Sequence, residues 1–201
     1  GFASQANEFS YQMLLTSNYL FNYSGKKNAV SIFPFIHTCS NHTQREHQFR
    51  RVFVPNVDIA DSMLCKDFST NAGEFLEVYS PNPNSWDCVA SCFFLDTAHN
   101  VIEYIQTIFR ILKPNGYWIN IGPLLYHYED MSGEFSVELS FDEVLETIKE
   151  TGFEILHHEE RECTYTRNPE SMMSLVYRCQ FFTCKKPSEE GFGRLERGST
   201  K

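Results

Sequence analysis

The pattern of apolar and polar positions is most regular between Ser85 and Asp130, where a buried strand, an amphipathic helix and a second strand follow one another. Trp86 to Phe94 is a short, almost wholly apolar run, as a strand buried on both faces of a parallel sheet requires. One helical apolar face then recurs at spacings of three and four: Val101, Ile102, Ile105, Ile108, Phe109 and Leu112. The run from Lys113 to Gly116 predicts a turn, with Gly116 able to take a positive φ, and Tyr117 to Ile121 reads as the next strand. The pattern predicts a βαβ unit.

Polar and aromatic residues follow each of these two strands. In parallel α/β sheets, ligands bind beyond the carboxyl ends of the strands. Cys92, the pair Phe93-Phe94 and Asp96 end the first strand, and His127 follows the second. An aromatic pair, a carboxylate and an imidazole are therefore predicted to meet on one rim of the sheet.

The amino-terminal residues Gly1 to Ser10 predict a strand end that leads into a helix. Asn7 suits a helix cap, and Glu8 then falls in the first helical turn, where a carboxylate complements the helix dipole. An acid at a strand end can instead accept hydrogen bonds from ribose hydroxyls. Taken alone, the residues favour the ordinary solvated Glu8 over a ribose ligand.

A second acid stands beside an aromatic ring in Asp67 to Tyr79, which reads as a strand and a turn. Gly73 permits close backbone approach, and Glu74 with Phe75 offers an acceptor and a ring that suit an adenine amino group and its π face. An ordinary strand-end acid beside a core phenylalanine is the alternative, and local sequence alone favours it.

The carboxyl-terminal part continues the alternation of helix and strand. Ser140 with Glu143 has capping-box form at the start of a helix that ends near Gly152. Ser174 to Lys185 reads as a last long strand. The sequence therefore predicts an α/β fold class with one domain over residues 1–186, followed by a disordered tail over residues 187–201.

Composition narrows the classes of function. The 201 residues are 42% hydrophobic and 15% aromatic, which is typical of a globular chain, and the net charge of −9 argues against a surface that binds nucleic acid. No apolar run approaches the ~20 residues of a membrane span. Seven cysteines at irregular spacing are interpreted as reduced thiols in a cytoplasmic or nuclear protein, with Cys88 and Cys92 in the core.

A zinc site is a weak alternative in the polar segment Thr38 to Arg51. Cys39, His42 and His47 are ligand types, but their spacing matches no zinc pattern and a fourth ligand is not evident. We therefore predict no metal and interpret the segment as a solvated loop.

Three stretches of this sequence resemble the carnosine N-methyltransferase family, a family of class I S-adenosylmethionine-dependent methyltransferases. They are NEFSYQMLLTSNYLFN, the run from NAGEF through WDCVASCFFLDTAHNVIEYIQTIFRILKPNGYWINIGPLLYH, and TYT with SMMSLVY. The resemblance extends from Asn7 to about Lys186. It implies a Rossmann-like methyltransferase sheet of seven strands with helices on both faces, a homodimer, and methylation of the imidazole of carnosine and related histidyl dipeptides to anserine.

The resemblance also implies roles for individual residues. S-adenosylmethionine would be held by Glu8 at the ribose, by Glu74 and Phe75 at the adenine, and by the strand end at Cys92 beside the methionine moiety. The substrate pocket would contain five residues, of which Asp96 and His127 are also the candidate catalytic groups: Phe93, Asp96, His127, Tyr165 and Tyr177.

The glycine-rich motif of the family's first strand should lie just before the NEFS segment, and this sequence has no counterpart of it there. We therefore expect a partial methyltransferase domain. The alternative function is an inactive methyltransferase-like chain that serves as a binding or interaction module. Gly191 to Leu195 echoes the missing motif, and we interpret this echo as coincidence because no apolar strand precedes it.

Overall fold

The computed structural model describes residues 2–59 and 67–188, which fall into two units. The smaller unit comprises residues 1–75 and 164–175, and the larger unit comprises residues 76–163 and 176–201. Gly191 to Leu195 and residues 189–201 of the predicted disordered tail lie outside the described residues, as does Cys65.

The smaller unit contains two separate two-stranded sheets. Its elements in chain order are β1 (Ser4–Glu8), α1 (Tyr11–Tyr19), a π-helical turn (Leu20–Ser24), β2 (Val30–Ile32), a 3₁₀ helix (Arg45–Phe49), β3 (Val52–Val54) and β4 (Phe68–Ala72). Strands β1 and β4 are parallel, with Glu8 opposite Ala72, whereas β2 and β3 are antiparallel. The parallel pair brings the carboxyl ends of β1 and β4 to the same edge.

The start of the first helix differs from the sequence prediction. Ser10 caps α1 and accepts a hydrogen bond from the Met13 amide, so the prediction that Asn7 is the cap was wrong. Asn7 lies within β1, and its side-chain amide donates to the Gly73 carbonyl at 3.1 Å. Glu8 is the last residue of β1, so it is a strand-end acid and not a member of the first helical turn.

The larger unit is a mixed sheet with two long helices. Its elements are α2 (Phe75–Tyr79, of which Phe75 belongs to the smaller unit), β5 (Trp86–Cys92), a 3₁₀ helix (Leu95–Thr97), α3 (Val101–Ile111), β6 (Leu112–Gly122), α4 (Phe141–Thr151), β7 (Glu154–Cys163) and β8 (Tyr177–Lys185). The strand order is β5-β6-β8-β7, with β5 parallel to β6 and β8 antiparallel to both of its neighbours. The predicted α/β class and the predicted βαβ unit are confirmed.

Local sequence signals account for both long helices. Asn100 caps α3 by accepting a hydrogen bond from the Ile102 amide at 3.1 Å, and the predicted apolar face includes the fully buried Ile105 and Ile108. The predicted capping box of α4 is present between Ser140 and Glu143. Because caps and apolar periodicity are properties of short segments, the bounds of these helices follow closely from the sequence.

The predicted turn at Lys113 to Gly116 was wrong, because these residues lie within β6, which begins at Leu112. Asn115, and not Gly116, has the positive φ, at 66°. A Cβ added to Gly116 would lie 2.8 Å from the Lys113 carbonyl oxygen and 3.2 Å from the Asp87 carbonyl oxygen. Glycine is therefore required at position 116 by the close approach of the backbone and not by its own φ.

Strand β5 is less buried than its apolar sequence predicts. Within the described ranges it pairs with β6 on one side only. Cys88 and Cys92 are exposed, so the prediction that both are core thiols was wrong. The physical reason is position in the sheet, because a strand at an edge covers fewer of its side chains than a central strand does.

A buried polar network joins the strands just below their carboxyl ends. The Trp118 indole donates to Ser91 Oγ at 2.8 Å, and Ser91 Oγ donates to Asn120 Oδ1 at 2.8 Å. Trp118 is fully buried, and Ser91 and Asn120 are also buried. Because an unsatisfied buried polar group costs about 1–3 kcal/mol, these bonds fix β5 against β6 in a single register.

In the described part of the chain, none of the helices is long and apolar enough to cross a bilayer.

Candidate active site

The carboxyl end of β5 carries a strained turn. Phe93 follows the strand with φ at 49°, a left-handed conformation that costs a residue with a Cβ about 1–2 kcal/mol. Its amide donates to the Ile121 carbonyl at 2.8 Å, which ties the turn to the end of β6. A Cβ added to Gly122 would lie 3.1 Å from both the Phe93 nitrogen and the Phe93 Cα. Gly122 therefore provides the space in which the Phe93 backbone is seated.

The Asp96 carboxyl is the most buried acidic group at this rim. Asp96 lies in the 3₁₀ helix after β5 and is only 3% exposed. Its Oδ2 accepts a hydrogen bond from the Leu125 amide at 3.0 Å, and its backbone carbonyl accepts one from the His127 amide at 2.9 Å. Oδ1 is buried and has no hydrogen-bond partner among residues 2–59 and 67–188. One acceptor oxygen of this carboxyl is therefore unsatisfied by the described part of the chain.

Burial raises the pKa of Asp96 above its ordinary value, and the Leu125 amide and the His127 imidazole partly oppose this rise. A raised folded-state pKa means that the folded chain holds the proton more tightly than the unfolded chain does. The contribution of Asp96 to stability is then fully present below the unfolded pKa of ~3.9 and is lost as the pH rises through the higher folded pKa.

We therefore expect the wild type to lose stability relative to Asp96→Asn as the pH rises from about 3 through the folded pKa of Asp96. Urea denaturation at a series of pH values, followed by tryptophan fluorescence, measures this difference in the free energy of unfolding. Both tryptophans, Trp86 and Trp118, belong to the larger unit, so the signal reports on the unit that contains Asp96. A difference that does not change with pH would contradict the prediction.

Aromatic rings stand beside the strained turn. Phe93 and Tyr177, the first residue of β8, meet edge to face with ring centroids 5.6 Å apart. The His127 side chain is exposed. The hydrogen bond from the His127 backbone amide to the Asp96 carbonyl holds this part of the backbone at the rim. The structure thus brings four of the predicted substrate residues together in the larger unit: Phe93, Asp96, His127 and Tyr177.

Tyr165, the fifth predicted substrate residue, belongs to the smaller unit and is 55% exposed. Along the chain it follows β7, which belongs to the larger unit, and it precedes the segment in which the Met172 amide donates to the Asn41 carbonyl at 2.9 Å. Its assignment to the substrate pocket stays a prediction.

Sulfur atoms lie near Asp96 on the larger sheet. Cys92 is the last residue of β5 and is exposed, whereas Cys179 on β8 is fully buried. Burial, together with a hydrogen bond to Cys163, raises the pKa of Cys179 to about 12. Cys179 is therefore a protonated thiol at neutral pH and does not serve as a nucleophile.

The predicted cofactor residues of the smaller unit also lie close to one another. The Gly73 amide donates to the Glu8 carbonyl at 3.1 Å, so Glu8 and the Gly73-Glu74 turn share one edge. Glu8 Oε1 accepts from the amides of Phe9 and Ser10 at 2.8 and 2.7 Å. These two bonds orient the carboxylate. Phe75, the neighbour of Glu74, is buried with 7% exposure.

The segment with Cys39, His42 and His47 is held by ordinary hydrogen bonds. His42 Nε2 bonds to the Thr38 carbonyl at 2.6 Å, and His47 Nδ1 bonds to Thr43 Oγ1 at 3.1 Å. Across the residues that the structure describes, no group of three or more His, Cys, Asp or Glu side chains could hold a metal ion.

Two features of the rim were not found from the sequence. Gly122 could have been noticed as a glycine at a strand end, where close backbone approach is common. The contact of His99 with Tyr128, at 3.5 Å between ring centroids, has no signal in the linear pattern because the two residues belong to different segments.

Comparison with known proteins identifies similar sequences. The family model described as "Carnosine N-methyltransferase" matches residues 1–188. The carnosine N-methyltransferase of Rattus norvegicus is 45% identical over 188 residues, which is 93% of this chain and 47% of that protein. The enzyme of that name from Schizosaccharomyces pombe is 38% identical over 197 residues, covering 92% of this chain and 53% of that protein. The chain spans about half the length of the curated relatives it matches.

Among solved structures, an S-adenosylmethionine-dependent methyltransferase from Methanosarcina mazei is similar with a TM-score of 0.45 at 15% identity, over 61% of this chain and 68% of that chain. One from Mesorhizobium loti has a TM-score of 0.43 at 12% identity, over 60% of this chain and 70% of that chain.

Proposed function

This chain belongs to the carnosine N-methyltransferase family, and we propose that the protein transfers a methyl group from S-adenosylmethionine to the imidazole of carnosine and related histidyl dipeptides, giving anserine. The observation that carries this proposal is the Asp96 carboxyl. It is 3% exposed, Leu125 occupies one oxygen, and Oδ1 has no partner in the described ranges. A buried acceptor of this kind requires a donor, and an imidazole N–H is one.

Asp96 determines which nitrogen of the substrate reacts. A neutral imidazole has one N–H and one nitrogen with a free lone pair, and only the second can attack a methyl group. If Asp96 Oδ1 accepts the N–H, the ring is held in one tautomer and the lone pair lies on the opposite nitrogen. Positioning of this kind is the main contribution an enzyme makes to an in-line displacement.

S-adenosylmethionine supplies a methyl group on a positively charged sulfur. As the new N–CH₃ bond forms, the S–CH₃ bond breaks, and the methylated ring becomes cationic. It returns to neutrality by losing the proton on its other nitrogen. Asp96 Oδ1, which accepts the hydrogen bond from that N–H, stabilises the cation and would take its proton. The exposed His127 imidazole, whose backbone amide donates to the Asp96 carbonyl, would then receive the proton from Asp96.

The aromatic residues bind the flat faces of the substrate ring. Phe93 and Tyr177 meet edge to face at the rim, and aromatic rings of this kind can stack on an imidazole. Tyr165 belongs to the smaller unit, and its proposed role at the substrate rests on the resemblance to the family. Stacking restricts the rotation of the substrate ring about the hydrogen bond to Asp96, so that the attacking lone pair keeps one direction.

The residues of the smaller unit fit the cofactor by their chemistry. The Glu8 carboxylate is oriented through Oε1 by two backbone amides, and Oε2 accepts no hydrogen bond from the described part of the chain. A free carboxylate oxygen at the end of a parallel strand suits ribose hydroxyls. Glu74 supplies acceptor chemistry for the adenine amino group, and Phe75 supplies an apolar ring. In the larger unit, the resemblance to the family assigns Cys92 to the methionine moiety.

The protein is further proposed to act in the cytoplasm and nucleus as a homodimer, on small dipeptides and not on nucleic acid or membranes. The six described cysteines are free thiols, which agrees with a reducing compartment. The net charge of −9 disfavours phosphate binding. Light scattering of the purified chain and fractionation of cells that express it test these statements.

Calorimetric titration of S-adenosylmethionine into the full chain, with circular dichroism to establish folding, is the first test of the proposed activity. We expect micromolar binding, followed by methyl transfer to carnosine and not to β-alanyl-alanine, which lacks the imidazole. Nuclear magnetic resonance of the product should place the methyl group on a ring nitrogen. A folded chain that neither binds the cofactor nor methylates carnosine would instead support the non-catalytic binding module.

A further inference from the structure

His127 stands between two anchored neighbours in the segment of residues 123–139, which joins β6 to α4. On one side, Tyr126 is buried, and its hydroxyl donates to the Leu139 carbonyl at 2.8 Å and accepts from the Leu139 amide at 3.1 Å. On the other side, Tyr128 stacks on the His99 ring with centroids 3.5 Å apart and planes at 21°. The position of His127 therefore depends on both neighbours.

His99 also holds the far part of the same segment. Its Nδ1 lies 2.9 Å from the Phe135 carbonyl oxygen and 3.9 Å from Glu134 Oε2. Its own carbonyl accepts from the Val137 amide at 2.9 Å. Because a carbonyl oxygen only accepts, Nδ1 carries the proton of this hydrogen bond, and this contact fixes the tautomer of a neutral His99.

We propose that His99 is a positioning residue for His127. It clamps the 123–139 segment at Tyr128 and at Phe135, and so keeps the His127 imidazole beside Asp96. This inference rests on the proposed function for its effect on catalysis, but the clamp itself is a property of the fold that can be measured without substrate.

The proposed role of the His99 side chain can be tested without unfolding the protein. Its side chain is 47% exposed, and it lies outside the buried core of the larger unit. The Tyr126 anchor to Leu139 does not involve His99. Replacement of His99 should therefore loosen the segment near His127 without unfolding the sheet.

The test uses four variants of the full chain. His99→Ala removes both contacts, His99→Phe keeps the ring against Tyr128, and His99→Asn keeps a donor for the Phe135 carbonyl. His157→Ala is the matched control, because His157 is an exposed histidine of the same unit that pairs with Glu159 on β7. We expect His99→Ala to lower kcat/KM for carnosine roughly ten-fold, while the affinity for S-adenosylmethionine and the unfolding midpoint stay unchanged.

Coupling to His127 separates positioning from a general structural role. In a His127→Ala background, the added His99→Ala substitution should cause less than about a two-fold further loss, because the group that it positions is gone. His99→Phe and His99→Asn should each retain more activity than His99→Ala. Fully additive losses in the double variant would overturn the proposal.

A measurement without catalysis keeps this inference distinct from the proposed function. The His127 amide N–H donates a hydrogen bond to the Asp96 carbonyl, which slows exchange of this amide hydrogen with solvent. Its exchange rate should therefore be at least about five-fold higher in His99→Ala than in the wild type or in His157→Ala. Unchanged exchange would overturn the clamp whether or not the chain methylates carnosine. Faster exchange in a chain with no methyl transfer would support the clamp and reject the proposed activity.

Discussion

Gly122→Ala is expected to lower kcat/KM for carnosine about 100-fold, because a misplacement of about 1 Å at a reacting centre costs this much. The added Cβ would lie 3.1 Å from the Phe93 nitrogen and Cα, and backbone atoms cannot swing aside as a flexible side chain can. Phe93 already has φ at 49° and is tied to the Ile121 carbonyl at 2.8 Å. The turn must therefore shift, and Phe93 and Asp96 shift with it.

The same substitution should reduce the free energy of unfolding by about 1–3 kcal/mol, which is the usual cost of overpacking. Steady-state kinetics and urea denaturation measure the two effects. Gly116→Ala is the matched control, since its added Cβ would also meet backbone, 2.8 Å from the Lys113 carbonyl oxygen, but near the start of β6 and not at the rim. Comparable losses of activity in both variants would show that space at Gly122 does not determine the geometry of the rim.

Asp96→Asn is expected to lower kcat/KM for carnosine about 30- to 150-fold, which corresponds to about 2–3 kcal/mol of lost hydrogen bonding to a charged group. Oδ2 is occupied by the Leu125 amide, and the orphan Oδ1 is the atom proposed to accept the imidazole N–H. If the asparagine carbonyl keeps the bond to Leu125, its amide group faces the substrate and donates. A donor at the position of Oδ1 cannot accept the substrate N–H. It instead favours the tautomer whose lone pair faces position 96, which leaves the proton on the nitrogen that should attack.

Binding of S-adenosylmethionine should stay within about two-fold of wild type in Asp96→Asn, because the acceptors assigned to the ribose and the adenine are Glu8 and Glu74. Asp87→Asn is the control, since Asp87 is an exposed carboxylate on β5, the strand that precedes Asp96, and pairs with Lys113 at 2.8 Å. Steady-state kinetics with carnosine measures the loss of kcat/KM, and calorimetry measures the affinity for S-adenosylmethionine. Equal losses in both variants, or a loss confined to cofactor binding, would reject the role of Asp96.

The sequence by itself determined the βαβ unit, the bounds of α3 and α4, and the order of residues at the strand ends. Apolar spacing, an asparagine cap and a capping box are local signals, and a parallel sheet places the ends of adjacent strands on one edge. The prediction that Phe93, Asp96 and His127 share a rim follows from these rules. The resemblance to the family, and not the pattern, supplied the roles of Tyr165 and Tyr177.

Only the tertiary structure decided which groups are buried and which are paired. The apolar sequence of β5 predicted core positions for Cys88 and Cys92, but β5 has a neighbouring strand on one side only in the described ranges, and both thiols are exposed. The orphan oxygen of Asp96 and the stack of His99 on Tyr128 likewise depend on residues about 30 positions away along the chain. Burial and hydrogen-bond satisfaction are set by neighbours in space, so no local pattern of residues can reveal them.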